Sequence, residues 1–123
     1  EIKNKMKTYI LYSAVRMKSL LAKAGETDYE MHDIYSGTEK ELITKVLEMP
    51  IRIDKAYRNK TLSEITEYIY ELDSLFNKFY GENRILTEED DAKKQTWLFL
   101  TDVVYKVNKL LLDVLAISIP DRM

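Results

Sequence analysis

The last third of the chain carries the pattern that most constrains the fold. Apolar side chains recur every three or four residues from Trp97 to Leu115, which is the spacing of a helix with one buried stripe. Other elements must cover such a stripe. Pro120 lacks an N–H and keeps Ile119 extended, so we expect the helix to end before Ile119. We expect the last four residues to project as a short peptide whose flexible thioether, Met123, belongs to a binding surface.

The rest of the chain predicts four more helices, so we expect an all-α fold, an antiparallel bundle of about five helices. Three glycines and two prolines are too few turn formers for a sheet. Capping boxes are predicted at Thr38 with Glu41 and at Thr61 with Glu64, and Thr87 is the predicted cap of the last helix. Gly25 and Gly81 are predicted to end the helices that precede them. A loop is predicted over residues 26–37. The predicted helices span 4–24, 38–49, 51–59, 61–80 and the region after 87.

Bulk properties restrict the function classes. A chain of 123 residues forms one domain, and the absence of cysteine excludes disulfides and cysteine metal sites. No apolar run approaches the roughly 18 residues of a membrane span. We therefore expect a soluble, cytoplasmic protein.

Charge and aromatic residues meet in the first predicted helix. The net charge is −2, but residues 1–23 contain six lysines or arginines against Glu1 alone. On a helical wheel, Tyr9, Tyr12 and Arg16 share a flank that the core stripe does not need. Such a flank suits stacking on unpaired bases. The alternative is that the tyrosines fill the rim of the bundle and Arg16 pairs with a carboxylate.

The residues for catalysis or metal binding are lacking. His32 is the only histidine, and the three glycines are too far apart for a phosphate-binding loop. The acidic run after Thr87 lacks calcium-loop spacing and suits the positive end of a helix. We therefore predict no catalytic residue, no metal site and no cofactor in this chain.

Several strings resemble the C-terminal anticodon-binding domain, of DALR type, of bacterial arginyl-tRNA synthetases. They are YSAVRMKSLLAKAG, EKELITKVLEMP, YIYELDSLFNKFY and LLLDVLAISIPDRM, which together cover nearly the whole chain. The most specific pieces are the Tyr-x-Tyr-Glu-Leu run that leads into Phe-x-x-Phe-Tyr, and the Pro-Asp-Arg-Met end. The tetrapeptide that names the domain type does not occur.

This resemblance implies a set of anticodon-binding residues. The family pattern Tyr-x-x-Tyr-x-x-x-Arg matches Tyr9, Tyr12 and Arg16, the aromatic residue that ends the fourth helix matches Tyr80, and the terminal methionine matches Met123. The hypothesis is that the rings and Met123 hold unstacked anticodon bases. Arg16 and some of Lys3, Lys5 and Lys7 would then contact phosphates, and a cytosine-sized pocket would accept the middle anticodon base of an arginine tRNA.

The resemblance also implies a larger parent enzyme, an arginine-tRNA ligase that charges tRNA with arginine and uses ATP with magnesium. The signatures His-Ile-Gly-His and Lys-Met-Ser-Lys-Ser are missing. We therefore expect residues 1–123 to be a single anticodon-binding domain, a C-terminal fragment without the catalytic domain. Its expected partners are tRNA and that catalytic domain, with no DNA and no membrane.

Two departures and two alternatives remain. Leu11 stands where the family often has Gln, and Ser13-Ala14 replaces a common Ala-His pair, so the hydrogen bonds of that Gln or His are not expected here. Ala116 stands where glycine is frequent. A helical protein-interaction module without RNA function would suit the acidic body of the domain. A small enzyme would require a perturbed titratable cluster.

Overall fold

Five α-helices form the regular structure of the described residues, 2–25, 28–117 and 119–123, in a computed structural model of the chain. No strand occurs among these residues, so the predicted all-α fold with about five helices is confirmed. None of the helices described has the length and hydropathy of a membrane span. In chain order the helices are α1 (Ile2–Ala24), α2 (Gly37–Leu47), α3 (Met49–Asn59), α4 (Ser63–Glu82) and α5 (Asp91–Val114).

Helix α4 lies at the centre and contacts each of the other four helices. Its apolar side chains recur at three- and four-residue spacing and are buried almost completely: they are Ile65, Tyr68, Ile69, Leu72, Phe76 and Phe79. Burying one large apolar side chain stabilises a fold by roughly 1.5–3 kcal/mol, so this stripe contributes strongly to the stability of the bundle. The α5 stripe predicted from Trp97 onward packs against it, with Leu100, Val104 and Leu111 buried.

The helix ends agree only partly with the sequence predictions. Gly25 follows α1 with a φ of 76°, the left-handed conformation that a glycine stop provides. Gly81 is not a stop, because α4 continues to Glu82. Thr87 does not cap α5; Asp90 does, and its carboxylate accepts hydrogen bonds from the N–H groups of the first turn. Residues 28–36 form the predicted loop, whereas 26 and 27 lie outside the described residues.

Both predicted capping boxes are wrong: Thr38 lies inside α2 and cannot cap it, and the Glu64 carboxylate binds α3 instead of the Thr61 N–H. Helix α2 begins after Ser36, and the buried carboxylate of Glu39 accepts hydrogen bonds from the Tyr35 N–H and the Trp97 indole. Glu64 accepts a hydrogen bond from the guanidinium of Arg52 on α3. At Glu64, the charged guanidinium outcompetes the local backbone N–H.

A network of charged side chains holds the junction between α2 and α3, which only Glu48 separates. Arg52 donates to Glu48 and, through both terminal nitrogens, to Glu71 on α4. Lys45 also contacts Glu48 and Glu71. These hydrogen bonds, chiefly those from Arg52, lower the pKa of Glu71 from 4.5 to about 2. The network fixes the bend between α2 and α3 against the central helix.

A polar pair lies inside the apolar contact between α4 and α5. Asp73 and Asn108 are both fully buried, and the Asn108 amide donates to an Asp73 carboxylate oxygen over 2.7 Å. The second carboxylate oxygen has no hydrogen-bond partner among the described residues. Burial raises the pKa of Asp73 well above its ordinary value because the charged form is poorly solvated there.

Helix α5 ends in a left-handed turn at a residue that carries a side chain. Ala116 has a φ of 59°, and the N–H of Ile117 donates to the carbonyl of Leu112, the bond pattern of a Schellman ending. Ile117 and Ile119 then pack against the core. The helix thus ends before Ile119, as predicted, but the segment that follows is drawn back onto the bundle.

The conformation of Ala116 generates a stability prediction. The left-handed region costs a residue with a Cβ roughly 1–2 kcal/mol that glycine does not incur. We expect Ala116→Gly to raise the free energy of unfolding by about 1 kcal/mol in urea denaturation. Ala22→Gly, at an exposed position inside α1, should lower it by about 1 kcal/mol. Equal losses at both positions would contradict the account of the α5 ending.

The depressed pKa of Glu71 generates a prediction about pH. Because the folded state holds this carboxyl proton less tightly than the unfolded chain, the ion pair stabilises the fold above about pH 4.5 and is lost as the pH falls toward 2. We expect Glu71→Gln to flatten the decline in unfolding free energy over this window. Glu67→Gln, at an exposed position of the same helix, should keep the wild-type slope. Identical slopes for the two variants would refute the assignment.

Candidate nucleic-acid interface

Four of the five predicted site residues surround one cavity of about 360 Å³ between α1, the end of α4 and the final residues. We call it the tail cleft; Tyr12, Arg16, Tyr80 and Met123 line it. The family resemblance selected all four residues, and a helical wheel selected Tyr12 and Arg16; the fold places them side by side. Its other lining residues are Val15, Ser19, Leu20, Lys23, Leu86 and Arg122.

The Arg16 guanidinium lies over two of these rings. Its central carbon is 4.6 Å from the centroid of the Tyr80 ring and 5.4 Å from that of Tyr12. Contacts of this kind stabilise a cation by roughly 0.5–2 kcal/mol. Arg16 also donates to the side-chain oxygen of Asn77 over 3.0 Å, and it forms no ion pair with a carboxylate of the described residues. The described residues therefore do not neutralise its positive charge, contrary to the alternative in which Arg16 pairs with a carboxylate.

The apolar surfaces of the tail cleft differ in how they are supported. Tyr80 is half-buried and stacks on Phe76, with ring centroids 6.1 Å apart, so α4 holds its ring rigidly. Tyr12 and Met123 are 54% and 60% exposed. The cleft thus combines one fixed aromatic ring with an accessible ring and a flexible thioether, all within reach of a flat ligand.

Tyr9 does not line the tail cleft. Its ring packs against Tyr70 with centroids 5.1 Å apart, and its hydroxyl accepts a hydrogen bond from Asn77. It borders a second cavity, of about 450 Å³, which Lys5 and Tyr12 also line. Because Tyr12 belongs to both cavities, the five predicted residues form one continuous surface along α1.

The predicted projection of the final four residues is wrong. The Lys18 ammonium binds the Asp121 carboxylate over 2.6 Å, which fastens this segment to α1. The same hydrogen bond raises the pKa of Lys18 and lowers that of Asp121. With Ile119 packed on the core, the segment becomes one wall of the cleft and brings Arg122 and Met123 to its rim.

The positive charges of the interface differ from the predicted ones. Lys23 and Arg122 line the tail cleft, and Arg84 lines an adjoining cavity next to Tyr80. Lys23 lies two helical turns after Arg16, and this spacing indicates the same face of α1, although Lys23 was not among the predicted site residues. Of the predicted lysines, Lys5 borders the second cavity, Lys7 faces the start of α4, and the Lys3 side chain lies outside the described residues.

The residues that the structure describes at this surface do not form a metal site. Within the described parts of the chain, no group of three or more acidic, histidine or cysteine side chains could hold a metal ion. His32 lies exposed in the loop, where its backbone N–H donates to Thr96. What the surface offers is aromatic faces, a thioether and unneutralised cations, the combination that binds single-stranded nucleic acid.

Comparison with known proteins places this surface in a family. The model of the DALR anticodon binding domain matches residues 10–123. The chain belongs to the DALR anticodon-binding domain family. The match includes four of the predicted site residues of this DALR domain, Tyr12, Arg16, Tyr80 and Met123, which lie in the tail cleft, and it begins one residue after Tyr9.

The similar curated proteins are arginine–tRNA ligases. Those of Alkaliphilus oremlandii, Francisella tularensis subsp. novicida and Agathobacter rectalis are 31%, 34% and 35% identical to this chain. Each comparison covers 94% of this chain but only 20–21% of the relative. The DALR domain therefore spans about one fifth of the length of these relatives.

A solved structure confirms the fold. The crystal structure of a Campylobacter jejuni protein assigned as an arginyl-tRNA synthetase superimposes with a TM-score of 0.84. The superposition covers 98% of this chain and 27% of that protein, at 22% sequence identity. The arrangement of helices is thus shared, although the two sequences have diverged widely.

Proposed function

We propose that this DALR domain binds the anticodon loop of an arginine tRNA, as the anticodon-binding part of an arginine–tRNA ligase. The observation that carries the proposal is the tail cleft, where the side chains of Tyr12, Arg16, Tyr80 and Met123 converge. The family match and the names of the relatives support the same function. Loop bases that leave the helical stack expose their flat faces, which aromatic side chains can bind.

The tail cleft accepts one base in this mechanism. Stacking on an aromatic ring contributes roughly 1–3 kcal/mol per base. Tyr80 supplies the rigid ring, Tyr12 the accessible one, and Met123 the adaptable apolar contact. We assign a neighbouring base to Tyr9, which lines the second cavity. Arg16, Lys23 and Arg122 stand at the cleft and attract phosphates.

The identity of the base follows from the genetic code. Every arginine codon has guanine in the middle, so the middle anticodon base is cytosine. A cavity of about 360 Å³ lies at the small end of the range for small-molecule sites, roughly 300–1,000 Å³. The cavity therefore has room for a base, and cytosine is the ligand we assign to it.

The whole enzyme would supply the remaining chemistry. We propose that the catalytic part of a longer protein, with its ATP and magnesium, attaches arginine to the tRNA, while this DALR domain contributes affinity and selects the tRNA. Duplex DNA keeps its bases stacked and offers no splayed base to the cleft, so we propose RNA and not DNA as the partner, acting in the cytoplasm.

An NMR titration with paired RNA ligands tests this function. The labelled domain receives an anticodon stem-loop with cytosine in the middle position, and in parallel the same loop with guanine. We expect cytosine-dependent shifts at Tyr12, Arg16, Tyr80 and Met123, and affinity that falls as salt rises. Equal, scattered shifts with both loops would overturn the proposal and favour a protein-interaction module.

Removing the rigid ring should weaken binding selectively. We expect Tyr80→Ala to reduce the affinity for the cytosine stem-loop by about 1–3 kcal/mol, the contribution of one stack. Tyr57→Ala is the matched control, because Tyr57 is 82% exposed on α3 and lines neither the tail cleft nor the second cavity. Isothermal calorimetry would measure both variants, with circular dichroism to verify folding. Unchanged affinity for Tyr80→Ala would show that Tyr80 only packs.

A further inference from the structure

One amide side chain connects α4 to three residues of the proposed RNA-binding helix. Asn77 lies one turn before Tyr80 on α4. Its oxygen accepts a hydrogen bond from Arg16 over 3.0 Å, and its nitrogen donates to the Tyr9 hydroxyl over 2.9 Å and to the Ser13 hydroxyl over 2.8 Å. Neither the helical wheel nor the family resemblance selected Asn77.

The chemistry of its partners determines the orientation of this amide. A guanidinium can only donate, so the amide oxygen must face Arg16 and the NH₂ group must face the other two side chains. The Ser13 hydroxyl donates its own proton to the Tyr9 carbonyl over 2.8 Å, which leaves its oxygen to accept from Asn77. The hydrogen bonds therefore specify one arrangement, and with it the positions of Arg16 and Tyr9.

The amide is neutral, and this determines what Arg16 can still bind. Of the five N–H donors of a guanidinium, Arg16 gives one to Asn77, and no other side chain or carbonyl of the described residues accepts one. A carboxylate at position 77 would also hold Arg16, but it would neutralise the charge. The amide fixes the direction of the side chain and leaves its charge and free donors directed at the interface.

We propose that Asn77 is a positioning residue for RNA binding: it holds Arg16 against the Tyr12 and Tyr80 rings so that the guanidinium meets a backbone phosphate of the bound loop. This inference rests on the proposed function. The ring contacts at 4.6 and 5.4 Å restrict the tilt of the guanidinium, and the Asn77 bond restricts its rotation. Together they prepare the group before RNA arrives, which reduces the ordering cost of binding.

The test compares Asn77→Asp with Asn77→Ala, because the two variants separate charge from position. In Asn77→Asp the new carboxylate pairs with Arg16, so we expect affinity for the cytosine stem-loop to fall roughly tenfold. The slope of log affinity against log salt should become shallower by about 0.7, the value for one lost phosphate contact on a single strand. Arg16→Gln should make the slope shallower by the same amount. The double variant, with Arg16→Gln and Asn77→Asp, should show no further loss of affinity or of slope.

Asn77→Ala keeps the charge of Arg16 but releases the side chain. We expect a loss of roughly threefold to tenfold, the cost of ordering one long side chain on binding, with the wild-type salt slope retained. Lys40→Gln, at an exposed site on α2, changes the net charge by the same single unit as Asn77→Asp and should leave affinity and slope unchanged. Thermal unfolding of each variant shows whether a loss of affinity accompanies a loss of fold.

The outcomes distinguish this inference from the function on which it rests. Wild-type domain that binds neither stem-loop would overturn the proposed function and the role of Asn77 together. Cytosine-selective binding that weakens in Arg16→Gln but keeps wild-type strength and slope in Asn77→Asp would overturn the role of Asn77 alone. If Asn77→Asp unfolds, Asn77→Ala decides: wild-type affinity in that variant would also refute the positioning role.

Discussion

Burial of the apolar stripe of α4 is the constraint on which the rest of this structure depends. All the other helices lie against α4, so its buried residues are the common surface on which four separate amphipathic helices are arranged. The same helix positions the proposed site, because Phe76 and Phe79 anchor the segment that presents Asn77 and Tyr80. The cleft is thus rigid because Phe76 and Phe79, one or two residues from Asn77 and Tyr80, are packed in the core.

The two ends of α4 serve different purposes. At its beginning, the Arg52 network joins α3 to Glu64 and Glu71, and strong ion pairs compensate for a junction with little apolar burial. At its end, about 24 Å further along from Glu64 by helical rise, Arg16, Lys23 and Arg122 line the tail cleft and form no ion pair with a carboxylate of the described residues. Charge is therefore neutralised where it stabilises the fold and left available where a polyanion is the proposed ligand.

Periodic features could be predicted from the sequence, and features that require a distant partner could not. The α5 stripe and the shared flank of Tyr9, Tyr12 and Arg16 follow from 3.6-residue periodicity, which acts within a single helix. The contacts of Glu39 with the Trp97 indole and of Asn77 with Arg16 gave no local signal, because Trp97 and Arg16 lie on other helices. The capping box at Thr61 failed for the same reason, since Glu64 binds a guanidinium from α3 in preference to its own backbone.

The final residues illustrate a related limit of sequence reasoning. Pro120 identifies where the helix cannot continue, but it does not indicate whether the following segment leaves the bundle or returns to it. The packing of Ile119 on the core and the contact of Lys18 with Asp121 decide that question, and Lys18 lies on α1, about a hundred residues earlier in the chain. The family resemblance grouped Met123 with Tyr80, and both line the tail cleft. The contacts that hold Met123 there could not be predicted from the sequence.

The buried pair of Asp73 and Asn108 has a consequence for the alignment of helices. Apolar stripes tolerate sliding, since one leucine can replace another in a hole between side chains. A slip of α5 by one turn would carry Asn108 about 5.4 Å away and leave Asp73 enclosed by hydrocarbon without a partner. The pair thus excludes alternative registers of α5 on α4. Because the final segment continues from α5, that alignment also sets how far Met123 lies from Tyr80, and hence the width of the cleft.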